Sequence, residues 1–179
     1  MKCRDSKSSL DTPKKILKVN HAGECGAINI YRSQILLCKF FYRDLVPLLQ
    51  SFKVDEERHR DIFWNEIIAR NGVRCKSYWL CGLGGFVMGF ISSLLGRRGI
   101  LACTWAVESV VINHLEEQLK YLESKGDHSA YEAVYSILED EKNHRDTGFK
   151  EGGVTNIWYQ PLRFSVSFFT EPIIRFGMR

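Results

Sequence analysis

The sequence contains no C-x-x-C pair. Its six cysteines, Cys3, Cys25, Cys38, Cys75, Cys81 and Cys103, are scattered, several of them among apolar residues at helical spacing. Disulfide frameworks belong to small, secreted, loop-rich chains, so this pattern reads as reduced, buried thiols in a reducing compartment. The first fifteen residues lack an apolar run and include two aspartates, which argues against a secretory signal and a transit peptide alike. There is no large charge excess either. The net charge of +4 is explained by solubility and calls for no nucleic-acid partner. His-Arg-Asp occurs twice, but no glycine-rich phosphate loop or Asp-Phe-Gly accompanies it, which excludes a kinase site. Gly82-x-Gly84-Gly85 has no strand-turn-helix context, so any nicotinamide cofactor binds without a Rossmann domain. What is present, 179 residues with 45% hydrophobic and 26% charged, fits an ordinary folded protein. A flexible segment is expected over residues 1–12 and a single domain over 13–179.

One pattern occurs twice: Asp-Glu-x-x-His-Arg-Asp begins at Asp55 and again at Asp140. On a helix the glutamate and the histidine three residues on share a face, so Glu56 and His59, and likewise Glu141 and His144, can aim at one spot. The surrounding stripes are helical. Leu17, His21, Glu24, Ile28, Tyr31, Ile35 and Cys38 step by four and three, as do Phe52, Glu56, His59, Phe63 and Ile67, up to a stop at Asn71-Gly72. A first helix is expected from near Pro13, with Thr12 or Asp11 as its cap. A later stripe runs Leu101, Trp105, Glu108, Ile112, Leu115, Leu119 and Leu122, and Glu108 is its only charged member. Val134, Ile137, Glu141, His144 and Gly148 are expected on one further helix.

Between the two copies, Tyr78 to Leu95 carries no charge over eighteen residues, the lower edge of a membrane span. A spanning helix would put Glu24 and Glu56 on the opposite side of the bilayer from Glu108 and Glu141. A helix lying in the membrane interface, or one buried all round, is therefore the expectation. The last segment, Ile157 to Phe176, is aromatic and basic, and Pro161 and Pro172 are expected to limit its regular helix to about ten residues.

Buried carboxylates in apolar stripes are costly unless paired, protonated or bound to metal. Glu24 precedes Glu56 by 56 − 24 = 32 positions and Glu108 precedes Glu141 by 141 − 108 = 33, as two copies of one helical hairpin would give. The set of Glu24, Glu56, His59, Glu108, Glu141 and His144 matches the ligands of a carboxylate-bridged di-iron bundle, an all-α, ferritin-like four-helix fold with two additional hydrophobic or amphipathic helices. Four carboxylates balance two divalent ions with the histidines neutral, and the oxygen-rich donors suit iron or manganese better than zinc. Ligating histidines usually donate their other ring nitrogen to a carboxylate. Asp55 is expected to orient His144 and Asp140 to orient His59, with Asp61 and Asp146 as weaker candidates.

With these residues in place, the chain resembles the demethoxyubiquinone hydroxylase family, from about Val19 to Gly148. The resemblance rests on His21-Ala22-Gly23-Glu24-x-Gly26-Ala27, on Glu56 and His59, on Ala102-Cys103-Thr104-x-Ala106-Val107-Glu108 and on Glu141-x-x-His144-x-Asp146-x-Gly148. It carries the same six ligands onto this chain. It implies a monooxygenase of ubiquinone biosynthesis with two iron ions, O2 as co-substrate and electrons from NADH. The implied substrate is a polyprenyl quinol whose tail lies against the glycine-rich apolar helix. The resemblance also implies peripheral attachment to the cytoplasmic face of a bacterial inner membrane, or to the matrix face in mitochondria, and a role for His114 in electron delivery. A homo-oligomer and a lipid-presenting helper protein are further expectations. Cys25, Asn20 and Leu115 depart from residues common in the family. The competing readings keep the metal and change the substrate: a hydroxylase of modified tRNA, which needs a positive groove, or a ferroxidase, which needs an acidic iron path.

Overall fold

The computed structural model describes residues 5–152 and 155–177, with side chains described over 12–152 and 155–168. Every regular element among them is helical: α1 (Asp5–Phe41), a 3-10 turn (Arg43–Leu45), α2 (Val46–Ala69), α3 (Tyr78–Leu94), α4 (Gly96–Lys125), α5 (His128–Tyr135), α6 (Leu138–Gly152) and α7 (Tyr159–Gly177). α1, α2, α4 and the α5–α6 pair form a ferritin-like four-helix bundle, and α3 and α7 are the two additional helices. α3 lies along α1, whereas α7 packs on α4.

The helix ends follow from local chemistry. Pro47 sits in the first turn of α2, where a missing N–H costs nothing. Asn71 takes a left-handed φ of 50°, and the Gly72 N–H returns to the Ile67 carbonyl at 2.8 Å. Gly126 ends α4 at a φ of 67°. Asp127 then starts α5 by accepting from the Ala130 N–H at 3.2 Å, and its carboxylate also takes the Arg70 guanidinium at 2.7 Å.

Two apolar clusters occupy the bundle interior. One contains Leu17, Phe63, Leu115 and Ile137, and the other contains Tyr31, Phe52 and Leu101. On α1, α2 and α4 the stripe passes from one cluster to the other through the acidic and imidazole positions, so the polar centre sits between two greasy plugs. Each fully buried large side chain there contributes about 1.5–3 kcal/mol.

Four elements differ from the sequence expectation. α1 begins at Asp5, upstream of Pro13, so Asp11 and Thr12 are interior positions of the helix and not its cap; the side chains of residues 1–11 lie outside the described residues. The helix expected to carry Val134 through Gly148 is broken at Ser136–Ile137, where the Ser136 hydroxyl donates to the Ala133 carbonyl and competes with the ladder. α7 runs through both prolines: Pro161 is in its first turn, and Pro172 removes a single ladder donor without stopping it. The side chains of Phe169, Arg175, Phe176 and Arg179 lie outside the described residues.

α3 is neither a span nor buried all round. No helix among the described residues is long and apolar enough to cross a membrane. Its Gly82, Gly85 and Gly89 face is pressed onto α1 so closely that a Cβ at Gly85 would overlap the Gly26 carbonyl. The opposite face stays open, with Trp79 74% and Leu94 67% exposed.

Candidate metal centre

α1 and α4 each bring one glutamate to the bundle axis, while α2 and α6 each bring a glutamate and a histidine one turn on. All six side chains are buried, Glu24 at 6% exposure being the most open. They form two overlapping groups whose donor atoms lie within 4.8 Å of one another: Glu24, Glu56, His59 and Glu141 in one, and Glu56, Glu108, Glu141 and His144 in the other. Glu56 and Glu141 belong to both.

Both imidazoles are turned the same way. His59 Nδ1 lies 3.0 Å from Glu141 Oε1, and His144 Nδ1 lies 3.2 Å from Glu56 Oε1, so each Nδ1 faces the carboxylates of the facing helix. Each Nε2 faces outward to an aspartate of that same facing helix. Asp140 Oδ2 is 3.2 Å from His59, and Asp55 Oδ2 is 3.2 Å from His144. This is the crossed contact set out in the sequence analysis. Aspartate acceptance from Nε2–H selects the tautomer whose Nδ1 lone pair points inward.

The protein groups alone balance the buried charge with protons. Burial, with Glu56 and Glu141 nearby, pushes the Glu24 carboxyl well above the usual range; burial with Glu141 and Glu56 does the same to Glu108. Burial raises Glu56 too, but the imidazoles of His144 and His59 beside it outweigh burial and hold its pKa at about 2. Burial opposes a charge on His59, yet Glu141 and Glu56 lift its pKa to about 10, and His144 is raised by Glu56 in the same way. Glu56 Oε1, Glu141 Oε2 and His144 Nδ1 are buried with no hydrogen-bond partner. Orphaned acceptors around a carboxylate-rich centre fit divalent cations: four glutamates neutralise two of them, and the donor set of oxygen with imidazole nitrogen suits iron or manganese.

Asp146 and Asp61 are not brought to the centre. Two positions past a histidine is a turn of 200° around a helix, and each carboxylate accepts instead from its neighbouring arginine, Arg145 or Arg60. His114 lies half-buried away from the six. With Ile16, Val19, Gln118 and Tyr121 it lines a cavity of about 240 Å³ between α1 and α4. Beside this cavity Asn20 and Gln118 exchange two amide hydrogen bonds, at 2.7 and 2.9 Å.

Three groups escaped the sequence reading. Tyr31 donates its phenol O–H to Glu108 Oε1 at 3.0 Å. Its place seven residues after Glu24 on one stripe was the available signal. Arg58 reaches both orienting aspartates, Asp140 at 2.6 Å and Asp55 at 3.5 Å, and helps to hold the Asp140 carboxyl below its usual range against burial. His21 is stacked between Trp64 and Tyr78, with ring centroids 5.1 and 4.8 Å away.

Residues 11–177 match the family model described as ubiquinone biosynthesis protein COQ7. The chain belongs to this family. Its COQ7 relatives include a mitochondrial NADPH-dependent 3-demethoxyubiquinone 3-hydroxylase of Dictyostelium discoideum, 29% identical over 92% of this chain and 76% of the relative. The enzyme of the same name in Mus musculus is 32% identical over 83% of this chain and 71% of its own length. A 3-demethoxyubiquinol 3-hydroxylase of Rhodospirillum rubrum is 29% identical over 77% of this chain and 64% of its own. Membership thus agrees with the hydroxylase resemblance. Two of these names specify NADPH, where the sequence reading expects NADH.

Proposed function

We propose that this COQ7-family chain is a demethoxyubiquinone hydroxylase of ubiquinone biosynthesis, acting as a monooxygenase at a two-iron centre. The reaction replaces a ring C–H of the quinol by C–OH. One atom of O2 enters the product and the other leaves as water, with two electrons and one proton supplied as hydride by a reduced nicotinamide cofactor and the second proton taken from solvent. Two irons, when bound, supply oxygen activation. The observation that carries the reading is the pair of four-residue groups sharing Glu56 and Glu141.

In this reading Glu24 and His59 would hold one ion and Glu108 and His144 the other, with Glu56 and Glu141 available to both. Asp55 and Asp140 fix the imidazole orientations, and Arg58 braces both aspartates. The two apolar clusters on either side keep water from the centre, which strengthens every charge interaction inside it. His114, at the cavity between α1 and α4, is assigned to electron delivery; the cavity supports that role by giving a small molecule access near the imidazole. Residues 13–179 are taken as one domain.

The open apolar face of α3 supports peripheral attachment to the quinone-bearing membrane, on its cytoplasmic or matrix face, with the polyprenyl tail lying along this helix. Half-buried Arg97 and exposed Arg98 at the start of α4 suit lipid headgroups, although Arg97 also pairs with Asp44. A homo-oligomer and a lipid-presenting helper protein complete the proposal. The test supplies iron-loaded protein with a reductant and a demethoxyquinol and follows product mass. Hydroxylated quinol is expected, and an unchanged quinol with two irons bound overturns the activity.

A further inference from the structure

The centre is built twice. Glu24 and Glu108 stand 108 − 24 = 84 positions apart, Glu56 and Glu141 stand 141 − 56 = 85 apart, and the histidines and the orienting aspartates keep the same offset of 85. Each half therefore supplies like groups in like order, and any difference between the two cation positions has to come from residues that break the repeat. Tyr31 does so at the ligands themselves.

Leu115 occupies the position 84 residues after Tyr31. α1 and α4 are antiparallel, as the Asn20–Gln118 and Tyr31–Glu108 hydrogen bonds show. Seven residues back along α1 from Tyr31 is Glu24, and seven residues forward along α4 from Glu108 is Leu115. Glu24 and Leu115 thus stand in the register that pairs Glu108 with Tyr31. Tyr31 is 1% exposed and its phenol is aimed at Glu108 Oε1. Leu115 is equally buried, belongs to the apolar cluster with Leu17 and Phe63, and has no donor.

We propose that Tyr31 is a positioning residue that makes the two cation positions unequal. Its phenol holds Glu108 in one orientation, with Oε2 the oxygen left for a cation, so the Glu108–His144 position is ordered before an ion arrives. Glu24 meets Glu56 as Glu108 meets Glu141, but among the described residues no phenol holds it, so its carboxylate is the less ordered of the two before an ion arrives. Ordering one rotatable side chain, together with a hydrogen bond to a charged group, is worth about tenfold in affinity. The Glu108–His144 position is the tighter one, and the Glu24–His59 position is the adjustable one.

This inference rests on the two-cation reading, and its test separates the two. Each position is isolated by removing its partner's glutamate, with Glu24→Gln leaving the Glu108 side and Glu108→Gln leaving the Glu24 side. Co(II) binding to the metal-free full chain is then followed by calorimetry and visible absorbance. The ion retained by Glu24→Gln is expected to bind about tenfold tighter than the ion retained by Glu108→Gln. Adding Tyr31→Phe to both is expected to reduce that ratio to about one. A ratio that survives Tyr31→Phe overturns the proposal, because a merely structural tyrosine would weaken both positions alike. Should Tyr31→Phe fail to fold, Leu115→Tyr replaces it: a second phenol opposite Glu24 is expected to reduce the ratio, and an unchanged ratio overturns the proposal. Failure of the unaltered chain to bind two ions would instead sink the two-cation centre itself.

Discussion

The α1–α2 half and the α4–α6 half carry the same buried glutamates and histidine, yet each fastens its extra helix with different chemistry. In the first half His21 lies between Trp64 of α2 and Tyr78 of α3. In the second, Trp105 lies against Phe149 of α6 and Tyr159 of α7, with centroids 4.8 and 3.5 Å away. These are matching positions: 105 − 21 = 84 and 149 − 64 = 85. Both halves thus use an aromatic sandwich to attach a further helix, but only the first places a titratable ring at its centre. The buried polar groups are the same in both copies, while their surroundings differ, with an exposed apolar helix on one side and a C-terminal helix on the other.

The shared glutamates give the largest expected effect. Glu56→Ala or Glu141→Ala removes a ligand from both positions, so both ions and all hydroxylation are expected to go. Glu24→Ala or Glu108→Ala should leave one ion by metal analysis. Retention of two ions by Glu56→Ala would break the assignment of Glu56 to both positions.

Acid is expected to separate the halves at their sandwiches. Burial, with Arg74 and Arg60 nearby, lowers the His21 pKa from 6.5 to about 4. The unfolded chain takes up this proton below about 6.5 and the folded chain does not, so stability falls as pH drops from about 6.5 to about 4 and levels off below. The shift corresponds to about 3 kcal/mol at most. His21→Phe should remove this share of the pH dependence of chemical unfolding. Amide exchange should report loosening of α3 before α7; α7 loosening first would reverse the comparison.

The orienting aspartates come next. Asp55→Asn and Asp140→Asn should each weaken metal binding by about 10–100-fold. Asp140→Asn should cost more, because Arg58 binds Asp140 at the shorter distance and has Asn143 as its counterpart in the second half. Equal costs would show that the brace carries no weight.

The smallest effect is expected on the open face of α3. Leu83→Ser and Leu94→Ser should each lower binding to anionic vesicles by about tenfold, the loss of one buried leucine. Turnover of a short-tailed soluble quinol should stay unchanged, and unchanged vesicle binding would remove α3 from the membrane contact.

The six buried groups were legible in the sequence because charge in an apolar stripe is conspicuous, and the crossed aspartates followed from their place beside the ligands. Tyr31 was not, since a tyrosine in such a stripe reads as ordinary packing until its hydroxyl is seen to reach Glu108. The open face of α3 was hidden for a related reason: a helix without charge shows no polar side, and only the glycine contact with α1 reveals which face is buried. The break at Ser136–Ile137 leaves the apolar period intact, so periodicity could not locate it. The passage of α7 through Pro172 is a case of the fold overriding a local preference.

The central claim is tested most directly by isotopic labelling. Iron-loaded protein, given a reductant, a demethoxyquinol and 18O-labelled dioxygen, is expected to yield quinol carrying one labelled oxygen, and the product should be lost in Glu56→Ala. Unlabelled product, or no product from protein that holds two irons, would contradict it.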